Sequence, residues 1–200
     1  AGVPVVPGYH GGAQDAPTRT QEAARIGYPL LIKASAGGGG RGMRRVDRAA
    51  DFAEALVQAR AEALAGFGDD RVLLEKLVAA PRHIEVQIAA DRHGQVVHLF
   101  ERECSIQRNH QKVIEEAPAA FLSAQQRAAL HGYAVAPARV IDYDSLGTVE
   151  FLLDNDSGEI YFLEMNTRRQ VEHPVTADAT SPDLGEEQRP SPAGEHPPPT

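Results

Sequence analysis

The sequence predicts an α+β protein in which antiparallel sheets carry flanking helices and a glycine-rich lid. Three observations predict it. Strand-like runs come in pairs joined by turn residues, as in Thr148 to Leu153, the turn Asp154-Asn-Asp-Ser-Gly158, and Ile160 to Leu163. Stretches after Asp47 and after Ser123 carry helical periodicity with capping residues in front of them. A run of glycines, Gly37 to Gly40, stands between two strand-like segments.

In chain order, Val3-Pro-Val-Val-Pro-Gly8 is apolar and extended with no start signal, as in the middle of a longer protein. Thr18 to Ile26 is a short helix closed by Gly27, and Tyr28 to Lys33 a compact strand. The loop Ala34 to Met43 is nearly bare of side chains. Its amides can approach an anion such as a phosphate, with Lys33 and Arg41 bracketing it in positive charge. It lacks the Gly-Lys-Ser/Thr ending of a P-loop and leads into Met43 to Val46, so a hairpin lid fits better; a flexible glycine linker is the alternative. Asp47 can cap a helix to about Leu64, with Phe52, Leu56 and Leu64 inward. Arg71 to Val78 is a strand whose end presents Glu75 and Lys76.

Arg82 to Ala90 alternates, with Ile84, Val86 and Ile88 on one face and His83, Glu85 and Gln87 on the other. Taken alone, His83 reads as a half-buried sheet residue. Arg92-His-Gly94 turns into Val96 to Phe100, giving at least three antiparallel strands. Glu101 to Lys112 reads as a polar functional loop in which Gln107, His110 and Lys112 can meet anionic or hydroxylated groups; a solvated charged loop is the alternative. Cys104 is expected to be structural. Ser123-Ala-Gln-Gln126 is a capping box for a helix to about Ile141, which Pro137 should kink or shorten. From Ala177 prolines accumulate, and disorder is expected from about Ser181.

The chemistry concentrates where the strand Ile160 to Leu163 runs into Glu164-Met-Asn-Thr-Arg-Arg-Gln-Val-Glu-His-Pro174. Glu164 and Asn166 share a strand face. A hairpin centred near Ser157 sets Glu150 opposite Glu164, and opposed like charges are relieved by a divalent cation with oxygen ligands from Glu150, Glu164 and Asn166. An exposed hairpin with carboxylates facing water is the other reading. Arg168, Gln170 and Glu172 continue the every-second-residue pattern, with Glu172 available as a base.

Composition bounds the rest. A formal charge of -8 without a basic stripe argues against nucleic acid as a partner. The single cysteine excludes an internal disulfide framework and a cysteine-rich zinc site, consistent with a reducing cytoplasm; a cytoplasmic location is expected, with an organelle as the alternative. No apolar run is long enough to span a bilayer, so no membrane role is expected.

Five motifs occur in order: Lys33-Ala-Ser-Ala-Gly-Gly-Gly-Gly-Arg-Gly-Met43; Pro81-Arg-His-Ile-Glu-Val-Gln87; Gln107-Arg-Asn-His-Gln-Lys112 with Glu115-Glu-Ala-Pro118; Gly147-Thr-Val-Glu150; and Glu164-Met-Asn-Thr-Arg168 with Gln170-Val-Glu-His-Pro174. Together they resemble the ATP-grasp part of biotin carboxylase, the biotin-carboxylating component of acyl-CoA carboxylases. The resemblance implies an ATP-grasp fold divided into a linker and helix (1–27), a lid subdomain (28–79), a catalytic subdomain (80–176) and a proline-rich tail (177–200). It implies ATP-dependent carboxylation of biotin by bicarbonate through carboxyphosphate, with ATP, magnesium or manganese, and biotin as the carried substrate.

By the same resemblance, Lys33, Gly39, Gly40 and His83 contact ATP, Glu75, Lys76, Leu77 and Val78 form the adenine hinge, and Gln107 and His110 face the nucleotide. Glu150, Glu164 and Asn166 match the metal ligands. Lys112, Arg168, Gln170 and Val171 match the bicarbonate pocket; Glu172 matches the general base, and Arg168 stabilises charge on the biotin ureido oxygen. Implied partners are a biotin carboxyl carrier domain and a carboxyltransferase subunit, in a family that is typically oligomeric. Pyruvate carboxylase is the runner-up enzyme, and a non-catalytic nucleotide-binding fragment the alternative of another class. Arg169 stands where the family has a branched apolar residue, and the family's amino-terminal Rossmann-like and carboxy-terminal domains are not among these residues.

Overall fold

A computed structural model describes residues 1–37, 41–109, 111–168 and 170–180. The chain forms two compact units, Val6–Ala79, and Ala80–Thr200 together with Ala1–Val5. Val6 to Gly27 therefore belong with the first unit, and Ala177 to Thr180 are helical; the rest of the proline-rich tail lies outside the described residues.

The first unit contains β1 (Gly8–Tyr9), α1 (Ala16–Ile26), β2 (Leu30–Ala34), β3 (Met43–Val46), α2 (Phe52–Phe67) and β4 (Val72–Lys76), with sheet order β1-β4-β2-β3. Asp15 caps α1 by accepting from the Thr18 amide at 2.9 Å, and Gly27 ends it at φ 79, where a side chain would be strained. β2 and β3 form the expected hairpin, with Lys33 opposite Met43. Leu30, Ile32, Phe52, Leu56, Val72 and Leu74 build the core between sheet and helices.

Two expectations here are corrected. Asp47 does not cap α2, because Arg45 takes its carboxylate; a 3-10 turn, Ala49–Asp51, intervenes and the helix begins at Phe52. Leu64 is 57% exposed, because the buried stripe runs Phe52, Leu56, Ala59, Ala63, and Leu64 falls beside it.

The second unit contains β5 (Pro81–Ala90), β6 (Val96–Arg108), β7 (Gln111–Glu116), α3 (Ala124–Val140), β8 (Ser145–Asp154), β9 (Ile160–Asn166) and α4 (His173–Thr180), with sheet order β7-β6-β5-β8-β9. One sheet face, carrying Ile84, Val86, Val149 and Phe151, packs on Leu130, Ala134 and Ala138 of α3. The capping box is present: Ser123 Oγ accepts from the Gln126 amide at 3.2 Å, and Gln126 Oε1 accepts from the Ser123 amide at 3.1 Å. α3 runs past Pro137 to Val140 instead of stopping. The proline lies in the final turn, so the helix loses only the donor to the carbonyl four residues back.

The largest correction concerns Glu101 to Arg108 and Gln111 to Lys112, which are strand, not loop. β6 continues to Arg108 and β7 begins at Gln111. A bulge hid this: Ile88 pairs with His98 but Val86 with Glu101, so an extra residue near Phe100, whose φ is 58, breaks the alternation. Nor is the segment too polar for the interior. Glu101, Arg102 and Cys104 are all buried, and each charge has a partner: Glu101 pairs with the half-buried Arg127, and Arg102 with the buried Glu85.

Candidate active site

The sheet face opposite α3 is polar, and its centre, Glu85, Gln87, Arg102 and Glu150, is buried too, while Glu164 at its edge is exposed. From β5 come His83, Glu85 and Gln87, from β6 Arg102 and Gln107, from β7 Lys112, from β8 Glu150, and from β9 Glu164 and Asn166. The β8–β9 register places Glu150 directly opposite Glu164 and Thr148 opposite Asn166, as the count from Ser157 requires. β9 ends at Asn166, so the alternation does not carry on as a strand through Arg168 to Glu172. A turn brings Gln170 and Glu172 back to the face instead, both buried.

Glu150 is the hub. Its carboxylate accepts from Gln170 Nε2 at 2.6 Å, Asn166 Nδ2 at 2.8 Å and His83 at 2.7 Å, with Lys112 Nζ at 3.4 Å. Burial alone would raise its pKa. The His83 bond, the Lys112 charge and the Gln170 bond outweigh burial and hold it at about 2. Lys112 also pairs with Glu85 and Glu172. Burial would likewise raise Glu172, but the Lys112 hydrogen bond, its own backbone amide and the Lys112 and Arg102 charges bring it below the usual carboxylate range.

His83, Glu85 and Glu150 bring ligand atoms within 4.8 Å of one another, a spacing compatible with a metal. The hydrogen bonds speak for an ion-pair cluster instead. Gln107 Nε2 donates to the Cys104 carbonyl at 2.7 Å, which fixes the amide's orientation, and lies 3.0 Å from His83 Nδ1. Nδ1 therefore accepts, and the hydrogen on Nε2 points at Glu150.

The set expected from spacing is different and does converge. Asn166 Nδ2 lies 2.8 Å from Glu150 Oε1 and 3.1 Å from Glu164 Oε1. One small electropositive group is thus already held between the two carboxylates, and turning the amide over would present its oxygen beside them. Three hard oxygen donors in that arrangement suit magnesium or manganese.

In the first unit, Lys33 on β2 forms an ion pair with Glu75 on β4, Lys76 Nζ donates to the Tyr28 carbonyl at 2.9 Å, and the Leu77 amide donates to the Pro29 carbonyl at 3.1 Å. Leu77 and Val78 follow β4 instead of ending it. Val171 is 88% exposed and Arg168 is exposed. Gly39, Gly40, His110 and Arg169 lie outside the described residues.

Glu85, Arg102 and Thr176 are part of the cluster and were not singled out from sequence. The sequence carried only a partial signal for the first two. Counting outward from the turn that pairs Ala90 with Val96 brings β6 opposite β5 but sets Glu101 against Glu85; only the one-residue bulge beyond Ile88–His98 moves Arg102 into that place.

The family described as carbamoyl-phosphate synthase L chain, ATP binding domain, matches residues 1–195. The chain belongs to that family. Within it, this ATP-grasp domain is of the biotin carboxylase type. It is 56% identical over 186 residues to the mitochondrial methylcrotonoyl-CoA carboxylase subunit alpha of Oryza sativa subsp. japonica, covering 93% of this chain and 25% of the relative. A biotin carboxylase from Campylobacter jejuni, solved as a beta-gamma-ATP complex, superposes with TM-score 0.90 at 45% identity, over 98% of this chain and 44% of the other. The biotin carboxylase domain dimer of Hydrogenobacter thermophilus 2-oxoglutarate carboxylase, solved with MgADP, ADP and bicarbonate, gives 0.89 at 46% identity, over 98% and 43%. This ATP-grasp domain thus spans about a quarter of the curated relative's length and under half of each solved chain. No helix among its described residues is long and apolar enough to cross a membrane.

Proposed function

We propose that this domain binds ATP and bicarbonate in the ATP-dependent carboxylation of biotin, as the biotin carboxylase component of an acyl-CoA carboxylase. The observation that carries the reading is the convergence of Lys112, Glu150, Asn166, Gln170 and Glu172 on one sheet face, where a fixed cation, amide donors and ionised carboxylates meet. The bicarbonate and MgADP named for the Hydrogenobacter neighbour support the same ligands here.

In this reading, Lys33, Gly39, Gly40, His83, Gln107 and His110 bind ATP, and Glu75 to Val78 hold its adenine. Glu150, Glu164 and Asn166 hold magnesium, which neutralises phosphate charge when bound. Lys112, Arg168, Gln170 and Val171 bind bicarbonate. Glu172, depleted of its proton by Lys112 and Arg102, accepts the bicarbonate proton as a bicarbonate oxygen attacks the γ-phosphorus and ADP leaves. Carboxyphosphate then supplies the carboxyl group to biotin on its carrier domain, while Arg168 stabilises the ureido oxygen. A carboxyltransferase uses the carboxybiotin. The compartment is a reducing one, cytoplasm or organelle matrix, which the buried unpaired Cys104 and the mitochondrial relative favour.

Phosphate release from ATP, measured on the full chain with free biotin, is expected to depend on bicarbonate. Nucleotide binding with no phosphate released on adding both would overturn carboxylation. ATP with magnesium is expected to raise the melting temperature, and Glu164→Gln to abolish the magnesium-dependent part; an undiminished shift would remove Glu164 from the metal set.

A further inference from the structure

Arg102 is a fully buried arginine among site residues, and its hydrogen bonds run in a specific direction. Nε and Nη2 grip Glu85 Oε2 at 2.9 and 2.8 Å. Nη1 donates to Gln87 Oε1 at 3.1 Å and to Thr176 Oγ1 at 3.1 Å, and Nη2 to Gln170 Oε1 at 3.2 Å. One planar fork therefore ties β5 to the segment from Gln170 to Thr176, which has left the sheet.

Arginine has only donors, so every amide it touches must turn its oxygen inward. Gln170 then has no choice: its Oε1 faces Arg102 and its Nε2 faces Glu150, 2.6 Å away. Gln87 is oriented likewise, with Nε2 on the Gly147 carbonyl at 2.7 Å.

We propose that Arg102 is a positioning residue for bicarbonate: it fastens the Gln170–Thr176 segment to the sheet and sets the orientation of Gln170, so that Gln170 and Glu172 stand beside Lys112. This rests on the proposed carboxylase reading for its ligand, but the fastening itself does not. A lysine cannot substitute for it. An ammonium is a point donor and cannot span Glu85, Gln87, Gln170 and Thr176 at once.

Two measurements on the full chain test it. By hydrogen exchange, Arg102→Met is expected to speed exchange at amides of Gln170–Thr176 while Ile84–Ile88 stay protected. Because removing one member of a buried ion pair can unfold a protein, Thr176→Val carries this arm independently, with the same segment loosened and the charges intact. Unchanged exchange in that segment in the folded variants would overturn the proposal. Kinetically, Arg102→Met is expected to raise KM for bicarbonate about tenfold, with KM for ATP changed less than about threefold. Arg102→Lys should recover stability but keep the raised bicarbonate KM; recovery of both would reduce Arg102 to a structural ion pair and overturn the positioning role. If the parent chain shows no bicarbonate-dependent cleavage, the carboxylase reading falls, and the exchange measurement still decides the fastening.

Discussion

Glu101 offers a clean test of the physics that made β6 hard to recognise. Its carboxylate is buried against α3, accepting from Arg127 Nε at 2.8 Å and lying 2.7 Å from His131 Nε2. Burial pushes its pKa up, but the His131 and Arg127 hydrogen bonds and the Arg127 charge outweigh it, holding the group at about 2 against 4.5 when free. At 1.36 kcal/mol per unit, that difference corresponds to about 3 kcal/mol of stability at pH 7. The folded pKa is the lower one, so the contribution is fully present above pH 4.5 and is lost as pH falls toward 2. Two-state linkage with these values leaves about 2 kcal/mol at pH 3.5.

Glu101→Gln should therefore lower the unfolding free energy by about 3 kcal/mol at pH 7, and by about 2 at pH 3.5. Urea denaturation of both proteins at the two pH values measures the gap. A gap that stays constant, or widens on acidification, would refute the view that ionised Glu101 is stabilised by its α3 partners.

Other outcomes follow from the same bonds and burial. Arg19 is fully buried, yet its Nε and Nη1 find no hydrogen-bond partner among the described residues; Nη2 reaches the Gly11 carbonyl at 3.4 Å and the guanidinium stands 4.8 Å over the Tyr9 ring. Arg19→Met keeps the stem and removes the unpaired donors, so the melting temperature should rise by a few degrees, about 1 kcal/mol; a fall would show that a bound water or anion satisfies them. Burial pushes the Cys104 thiol up to about 12, and the Glu172 and Glu115 charges add to it against the pull of Arg102. At pH 8 iodoacetamide should modify the folded protein on the order of a thousandfold more slowly than free cysteine, with mass spectrometry as the readout. Rapid labelling without urea would contradict its burial.

What could be seen in the sequence was local. The Glu150–Glu164 pairing followed from counting around a recognisable turn, and the Ser123 box from two residues three apart. The alternation of β5 was legible because its apolar face is unbroken. What could not be seen was partnership at a distance. Glu101 and Arg102 read as loop because composition treats a charge as a request for water, whereas their partners come from α3, β5 and α4. The bulge at Phe100 removed the periodicity that would have corrected the reading. The segment after Asn166 was misread for the opposite reason: its alternation persists in sequence while the strand has stopped, and burial of Gln170 and Glu172 depends on contacts with Arg102 and Lys112 that spacing does not encode.

β5 has consequences for how such a protein can vary. Residues Ile84 to Ile88 are all fully buried, the odd and even positions alike. An ordinary sheet strand has one side on which mutations drift; this one has none. Saturation at any of these five positions would meet either a close-packed apolar layer or a fixed set of charges, so descendants of this chain can gain new traits at the loops around the strand far more readily than along it.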